Sequence, residues 1–255
     1  VREVSIGAFS RSARNRMQSL YVVYLDRHHL GDDLFLKSLA QHFAEAGAQA
    51  PPCVLLHGSG EKVERTLEAQ GYFPDRSGGV LEVETEEQRR LVERAVREVN
   101  QEIVATLTDE VVSTVGIQGV DRGLLHKAPG EPLEASNTGW LSALLKQHVV
   151  PVVSALVEAP DTGKVQEVPA VEAVRALAQG LEASFDPVVC VLASGDVPGE
   201  SEGETPASIE ADALTEEAVP EPAVARHLAP HLPVLVTDAQ GLLGGSRVRG
   251  ARVTS

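Results

Sequence analysis

Cys53 to Arg65, in the order CVLLHGSGEKVER, carry an apolar run through a glycine turn into a charged segment of helical period. A helix that begins directly after such a turn offers unpaired backbone N–H groups and the positive end of its dipole, a seat suited to phosphate. Gly58 and Gly60, on either side of Ser59, would let backbone approach a ligand. The same glycines also suit an ordinary strand-to-helix turn, so this motif alone leaves both readings open.

Other reactive residue types point away from metal and redox chemistry. His28 and His29 are adjacent; on a strand they would face opposite ways and could not share one metal. Cys53 and Cys190 each sit in an apolar, β-branched run and lack zinc-ligand spacing. They read as small core residues rather than as a disulfide, and no metal site is expected.

The net charge of −15, from 37 acids against 22 bases, repels nucleic acid and anionic membranes over most of the surface. Neither is expected as a partner. No apolar run approaches the ~20 residues of a membrane helix, and VREVSIGAFSRSARNRMQSL at the start lacks the apolar core of a secretory signal. A cytoplasmic location is expected. Lysine is scarce and acids fill the predicted loops, which suits high ionic strength and a salt-loving source.

The elements that must position the turn follow from hydrophobic period. Strand-like LYVVYL (20–25) precedes a helix over 32–47, and strand-like CVLLHG (53–58) precedes a helix over 61–71. This βαβα order is the signature of a mainly parallel sheet covered by helices. A long helix is predicted over about 86–108, with Leu91, Val92, Ala95, Val96, Val99, Ile103 and Val104 on one stripe. VSTVGIQG reads as a strand, residues 141–156 as helix into strand, and VEAPDTGKVQEVP as a polar turn. A helix over 170–182, a buried strand over 187–194, a helix near 221–229 and the strand LPVLVTD complete the chain. The acidic connection from Gly195 to Pro220 reads as a solvated loop with one short helix.

Six short motifs occur in order: VLLHGSG before a helix, EVNQEIVATL, STVGIQGVDRGLL, VVPVVSAL, VVCVLASGDVPG and the terminal GARVTS. In that order they resemble the amino-acid kinase family, most closely the acetylglutamate kinases, over about residues 20–255. The resemblance implies an α/β fold: a three-layer α/β/α sandwich around a central, mostly parallel, eight-stranded sheet. It also implies an N-terminal lobe (20–157) for the acyl amino acid and a C-terminal lobe (158–255) for ATP. Residues 1–19 form an extension, read as a helix of the kind that joins dimers into rings in arginine-regulated members. A homo-oligomer, a dimer at least, is expected on the same ground.

Phosphoryl transfer between two anions requires positive charge on the transferring oxygens. At each position where the resemblance expects such a group, this sequence has something else. The first strand of the family ends in Lys-x-Gly-Gly; here Tyr24 replaces the lysine and Asp26-Arg27 replace the glycines. The later Pro-Lys pair reads Pro220-Glu221, and the substrate-binding arginine is Leu81 or Glu82. The Asn-x-Asn-x-Asp element reads Glu167, Pro169 and Val171 at its key positions.

What remains of the phosphate or nucleotide contacts is Gly58, Ser59, Gly60 and Asp196, each also explicable by turn geometry. No residue is assigned a catalytic role. The leading expectation is a degenerate homologue with a regulatory or structural task, acting with itself or with an active paralogue. A second is an active kinase whose cations have moved to Arg27, Arg65, Arg122 or Lys127; only this one brings in ATP and magnesium as cofactors. A third is a module that binds a nucleotide or amino acid without reacting.

Overall fold

The computed structural model describes residues 17–197, 207–245 and 247–255. Eight strands make the main sheet: β1 Ser19–Leu25, β2 Cys53–His57, β3 Thr114–Gln118, β4 Val150–Ser154, β5 Asp186–Leu192, β6 Ala207–Glu210, β7 Val234–Thr237 and β8 Ala251–Thr254. Their spatial order is β6-β8-β7-β5-β1-β2-β4-β3. Every neighbouring pair is parallel except β7 with β8.

The central strands are mainly apolar on both sides because helices cover both faces, as parallel sheets require. Alternation then divides each strand between two cores. Leu20, Val22, Tyr24, Val54, Leu56, Val189 and Val191 face one way. They meet helices α5 Gly139–Lys146, α6 Ala170–Leu181 and α7 Pro222–Leu228. Val23, Leu25, Cys53, Leu55, Cys190 and Leu192 face the other. There the cover is α2 Asp33–Ala46, α3 Glu61–Glu68, α4 Glu86–Asp109 and α8 Ala239–Leu243. Cys53 and Cys190 are buried free thiols, and desolvation pushes both upward from the usual thiol range.

Helix α4 shows how sequence sets an element's start and its facing. Thr85 accepts the Gln88 N–H at 3.2 Å while the Gln88 side chain accepts the Thr85 N–H, which satisfies two end groups at once. Val92, Ala95, Val96, Val99, Ile103 and Leu107 are buried on one stripe. The outer face carries i,i+4 pairs such as Arg94–Glu98 and Arg97–Glu93, both at 2.9 Å. Such exposed pairs contribute only tenths of a kcal/mol each, about 0.3–0.5, so the stripe holds the helix in place.

Three features differ from the sequence reading. A short helix, α1 Arg27–Leu30, follows β1 directly, so His28 and His29 are helical rather than extended. The acidic connection before Pro220 contains the edge strand β6, with Ala207 and Ile209 against the core and Ser208 and Glu210 exposed. Short hairpins occur at Arg76–Ser77 with Val80–Leu81, and at Leu125–Lys127 with Leu133–Ala135. The polar turn at Thr162-Gly163 joins a third hairpin, Leu156–Glu158 with Val165–Glu167, and Gly163 takes φ +66° there. Strands β1 to β4 of the main sheet come from residues before 157 and β5 to β8 from residues after it. The expected N-terminal helix falls almost wholly on residues 1–16, outside those described.

A buried polar chain ties β2, α4 and β4 together beneath the glycine turn. Asn100 donates its amide to the Val152 carbonyl at 2.9 Å and to His57 Nε2 at 3.0 Å. His57 Nε2 must therefore accept, so Nδ1 carries the proton and donates it to the Gly58 carbonyl at 2.9 Å. Full burial lowers the His57 pKa to about 4. A Cβ at Gly116 would meet Asn100 Oδ1 at 2.4 Å, so glycine at 116 is what lets Asn100 come close.

Two measurements test this network. The unfolded imidazole takes its proton near 6.5, so the His57 contribution is complete above that pH and declines, by about 3 kcal/mol, as pH falls to about 4. Imidazole resonances of His57 should show no titration between pH 8 and 5. Gly116→Ala should cost about 1–3 kcal/mol in urea unfolding, because Asn100 must move.

Candidate functional site

The carboxyl ends of β1 and β2, with the turns that follow them, open onto a cleft of about 680 Å³. Tyr24, Arg27, Ser59, Arg76, Val171 and Glu221 are among the residues that line it. In parallel α/β sheets this is the edge where ligands bind, because helix starts and unpaired N–H groups converge there.

At the end of β1 the chain is stopped by Asp26, whose side chain caps α1. Its Oδ1 accepts the His29 N–H at 2.9 Å and its Oδ2 lies 2.6 Å from His29 Nδ1. Asp26 is 1% exposed, so this carboxylate is turned into the fold and does not line the cleft. The His28-His29 pair thus becomes one capped histidine and one neighbour. Among the described residues, no group of three or more His, Cys, Asp or Glu side chains is arranged to hold a metal.

Tyr24 and Glu221, far apart in sequence, meet across the cleft. The Tyr24 hydroxyl donates to Glu221 Oε2 at 2.6 Å, and the Arg27 backbone N–H reaches Glu221 Oε1 at 3.4 Å. Burial, and then the Glu221 charge, push the Tyr24 phenol well above its ordinary range, which keeps it a donor. Glu221 stands just before α7, whose first residue is Pro222. The ring fixes its own φ and lacks an N–H that the helix start would leave unpaired.

The glycine turn is occupied by the chain itself. Ser59 N–H donates to Glu167 Oε1, which reaches in from the hairpin that ends at Glu167. A Cβ at Gly58 would meet that oxygen at 2.8 Å, and one at Gly60 would meet Leu30 Cβ at 3.1 Å. Neither glycine has positive φ; both are needed for close approach. Burial pushes the Glu167 carboxyl upward, opposed by the Ser59 hydrogen bond and the Arg76 charge. Its second oxygen, Oε2, is buried without a hydrogen-bond partner.

Arg76 was not singled out by sequence reasoning. Its guanidinium donates to Ser59 Oγ at 3.2 Å, to the Gly79 carbonyl at 2.7 Å and to Glu64. It lies directly across its hairpin from Leu81, one of the two positions where the resemblance expects an arginine. The DRSGG turn signal beside it could have flagged a hairpin at this point, but nothing in the sequence says that the side chain folds back onto Ser59.

Of the four candidate cations, Arg27 lines the cleft, 46% exposed and 3.6 Å from Glu64. The other three are not among the lining residues. Arg65 pairs with Glu61 at 3.0 Å on the outside of α3. Arg122, at φ +55°, lies over the Trp140 ring at 5.1 Å, and Lys127 is 3.7 Å from Glu172. Asp196 is exposed beyond β5 and also stands apart from the cleft lining. Leu81 is in the core, and Pro169 precedes α6 at its N-cap position.

The tyrosine–carboxylate contact is measurable. Tyr24→Phe should lose about 2 kcal/mol in urea unfolding, the size expected for a hydrogen bond to a charged acceptor. The wild-type Tyr24 hydroxyl should remain protonated in an ultraviolet titration beyond pH 10, where exposed tyrosines ionise.

Comparison with known proteins places this geometry in a family. Residues 24–199, more than half of the chain, match the amino acid kinase family. An acetylglutamate kinase of Chloroflexus aurantiacus is 28% identical over 241 residues, covering 91% of this chain and 76% of its own. Among solved structures, an N-acetylglutamate synthase from Neisseria gonorrhoeae superposes with TM-score 0.65 at 18% identity, covering 94% of this chain and 60% of the other. A Giardia carbamate kinase gives TM-score 0.53 at 11% identity, with 94% and 99% covered. At such identities the structures speak for the fold, the three-layer α/β/α sandwich. The chain belongs to the amino acid kinase family and is similar to its acetylglutamate kinases.

Proposed function

We propose that this chain keeps an acetylglutamate-kinase-like scaffold without phosphoryl transfer by the mechanism the resemblance implies, and serves as a regulatory or structural homologue. The supporting observation is the Tyr24–Glu221 hydrogen bond of 2.6 Å. It joins the two positions where lysines are expected, so one cation is replaced by a neutral donor and the other by an anion. Each lost charge-assisted contact in an electrostatic site costs about 3–4 kcal/mol of barrier, and contacts that act as a unit are lost together. On this reading the protein is cytoplasmic and acts as a homo-oligomer or with an active paralogue. No helix among the described residues is long and apolar enough to cross a membrane.

One observation favours a second reading, an active kinase with relocated cations. Arg27 lines the cleft, and the Arg76 guanidinium lies on the glycine turn at 3.2 Å from Ser59 Oγ. Both face Glu64, which offsets much of their charge. ATP and magnesium enter only here.

A coupled ADP-release assay with ATP, magnesium and acetylglutamate, succinylglutamate or aminoadipate derivatives separates the two. We expect no substrate-dependent turnover. A rate of about 1 per second, ordinary for an enzyme, would replace the first reading by the second.

A further inference from the structure

The turn from β2 into α3 already holds a carboxyl oxygen, and it belongs to the protein. Glu167 Oε1 accepts the Ser59 N–H, beside the Arg76 guanidinium, which reaches Ser59 Oγ at 3.2 Å. An amide at a helix start plus a guanidinium is the donor set that binds carboxylate or phosphate oxygens. The second observation is the other half of the carboxylate: Oε2 is buried with no partner, in a group that burial pushes toward its neutral form. Buried polar atoms are normally paired, so an oxygen left idle here asks for an explanation. This one has one oxygen in the seat and one idle.

The occupant is held in place rather than tethered loosely. Glu167 pairs across its hairpin with Leu156, and the Val168 N–H that follows it donates to the Ala155 carbonyl at 2.9 Å. Such anchoring gives the carboxylate a high effective concentration at the turn, which a free anion in solution must exceed. The missing side chain at Gly58 is what admits it, since a Cβ there would stand 2.8 Å from Oε1.

We propose that Glu167 is an intramolecular plug of an oxyanion site formed by Ser59 N–H and Arg76, and that withdrawing its carboxylate opens the site to an external tetrahedral oxyanion of the phosphate class. The inference rests on the reading of a catalytically silent cleft and says how that cleft refuses phosphate. Glu167→Gln keeps an acceptor in the seat and leaves it closed. Glu167→Ala and Glu167→Asn draw back from Ser59 and leave its amide without the carboxylate, with the Arg76 guanidinium still close by on Ser59 Oγ.

Inorganic phosphate is the probe, against sodium chloride at equal ionic strength, with thermal unfolding and phosphorus NMR line width as readouts. The wild type and Glu167→Gln should show no phosphate-specific change. Either shortened variant should broaden the phosphate signal and be stabilised, the folding equilibrium shifting about tenfold when phosphate stands tenfold above its Kd. Folded Ala and Asn variants that ignore phosphate would overturn the proposal, as would a wild type that binds phosphate equally well. If both shortened variants fail to fold while Glu167→Gln folds, the carboxylate is a structural bond and not a plug, and the proposal also fails. Turnover of ATP by the wild type would defeat the silent-cleft reading by a different measurement, leaving the two failures distinct.

Discussion

A backbone N–H that emerges at the end of a buried parallel strand has lost its sheet partner and must find another acceptor. At Ser59 that need is met by Glu167, and the surrounding structure is arranged about this one contact. Gly58 lacks a side chain so that the carboxylate can enter; the hairpin at 156–167 aims it; Arg76 offsets part of its charge. Desolvation of an ionised carboxylate is costly, and the raised affinity of Glu167 for a proton reflects that cost. With an internal carboxylate as its partner, the turn is packed rather than solvated.

Internal partners also serve the other groups along the cleft. Tyr24 and Glu221 satisfy one another, Asp26 is absorbed by His29, and Leu30 packs over Gly60. Beneath them the His57–Asn100–Val152 chain locks β2 to α4 and β4 with a neutral imidazole. A neutral histidine suits this place, because both of its nitrogens are already committed and a second proton would confront the Asn100 donor. The layer beneath the cleft is therefore held by a neutral network, while on the walls Arg27 and Arg76 both face Glu64.

Most of the architecture could be read from residue order alone, since apolar runs of period two and stripes of period 3.6 are local signals. The strands at Cys53–His57 and Asp186–Leu192 and the long helix Glu86–Asp109 fall within a few residues of expectation for that reason. Edge strand β6 was missed because its alternation, Ala-Ser-Ile-Glu, is short and sits in an acidic stretch. Its pairing with β8 is a tertiary fact with no local mark. Within the site, the glycine turn and the replaced lysine positions were visible as residue types. Partners were not: that Tyr24 reaches Glu221, or that Glu167 returns to Ser59, depends on contacts 197 and 108 residues apart in sequence. Arg76 was invisible for a related reason, because a lone arginine in a polar loop looks like a solvated one until the hairpin folds it inward.

The tyrosine–glutamate pair also gives sequence change at this cleft a direction. A lysine arriving at position 24 would face the Glu221 carboxylate and gain an ion pair, so that step leaves the fold supported. A lysine arriving first at 221 would take away the acceptor of the Tyr24 hydroxyl and add a cation to a cleft that Arg27 already lines. The first order keeps a charge partner across the cleft, and the second leaves the buried Tyr24 hydroxyl without its carboxylate. The hydrogen bond thus makes the tolerance of each of these two positions depend on the residue that occupies the other.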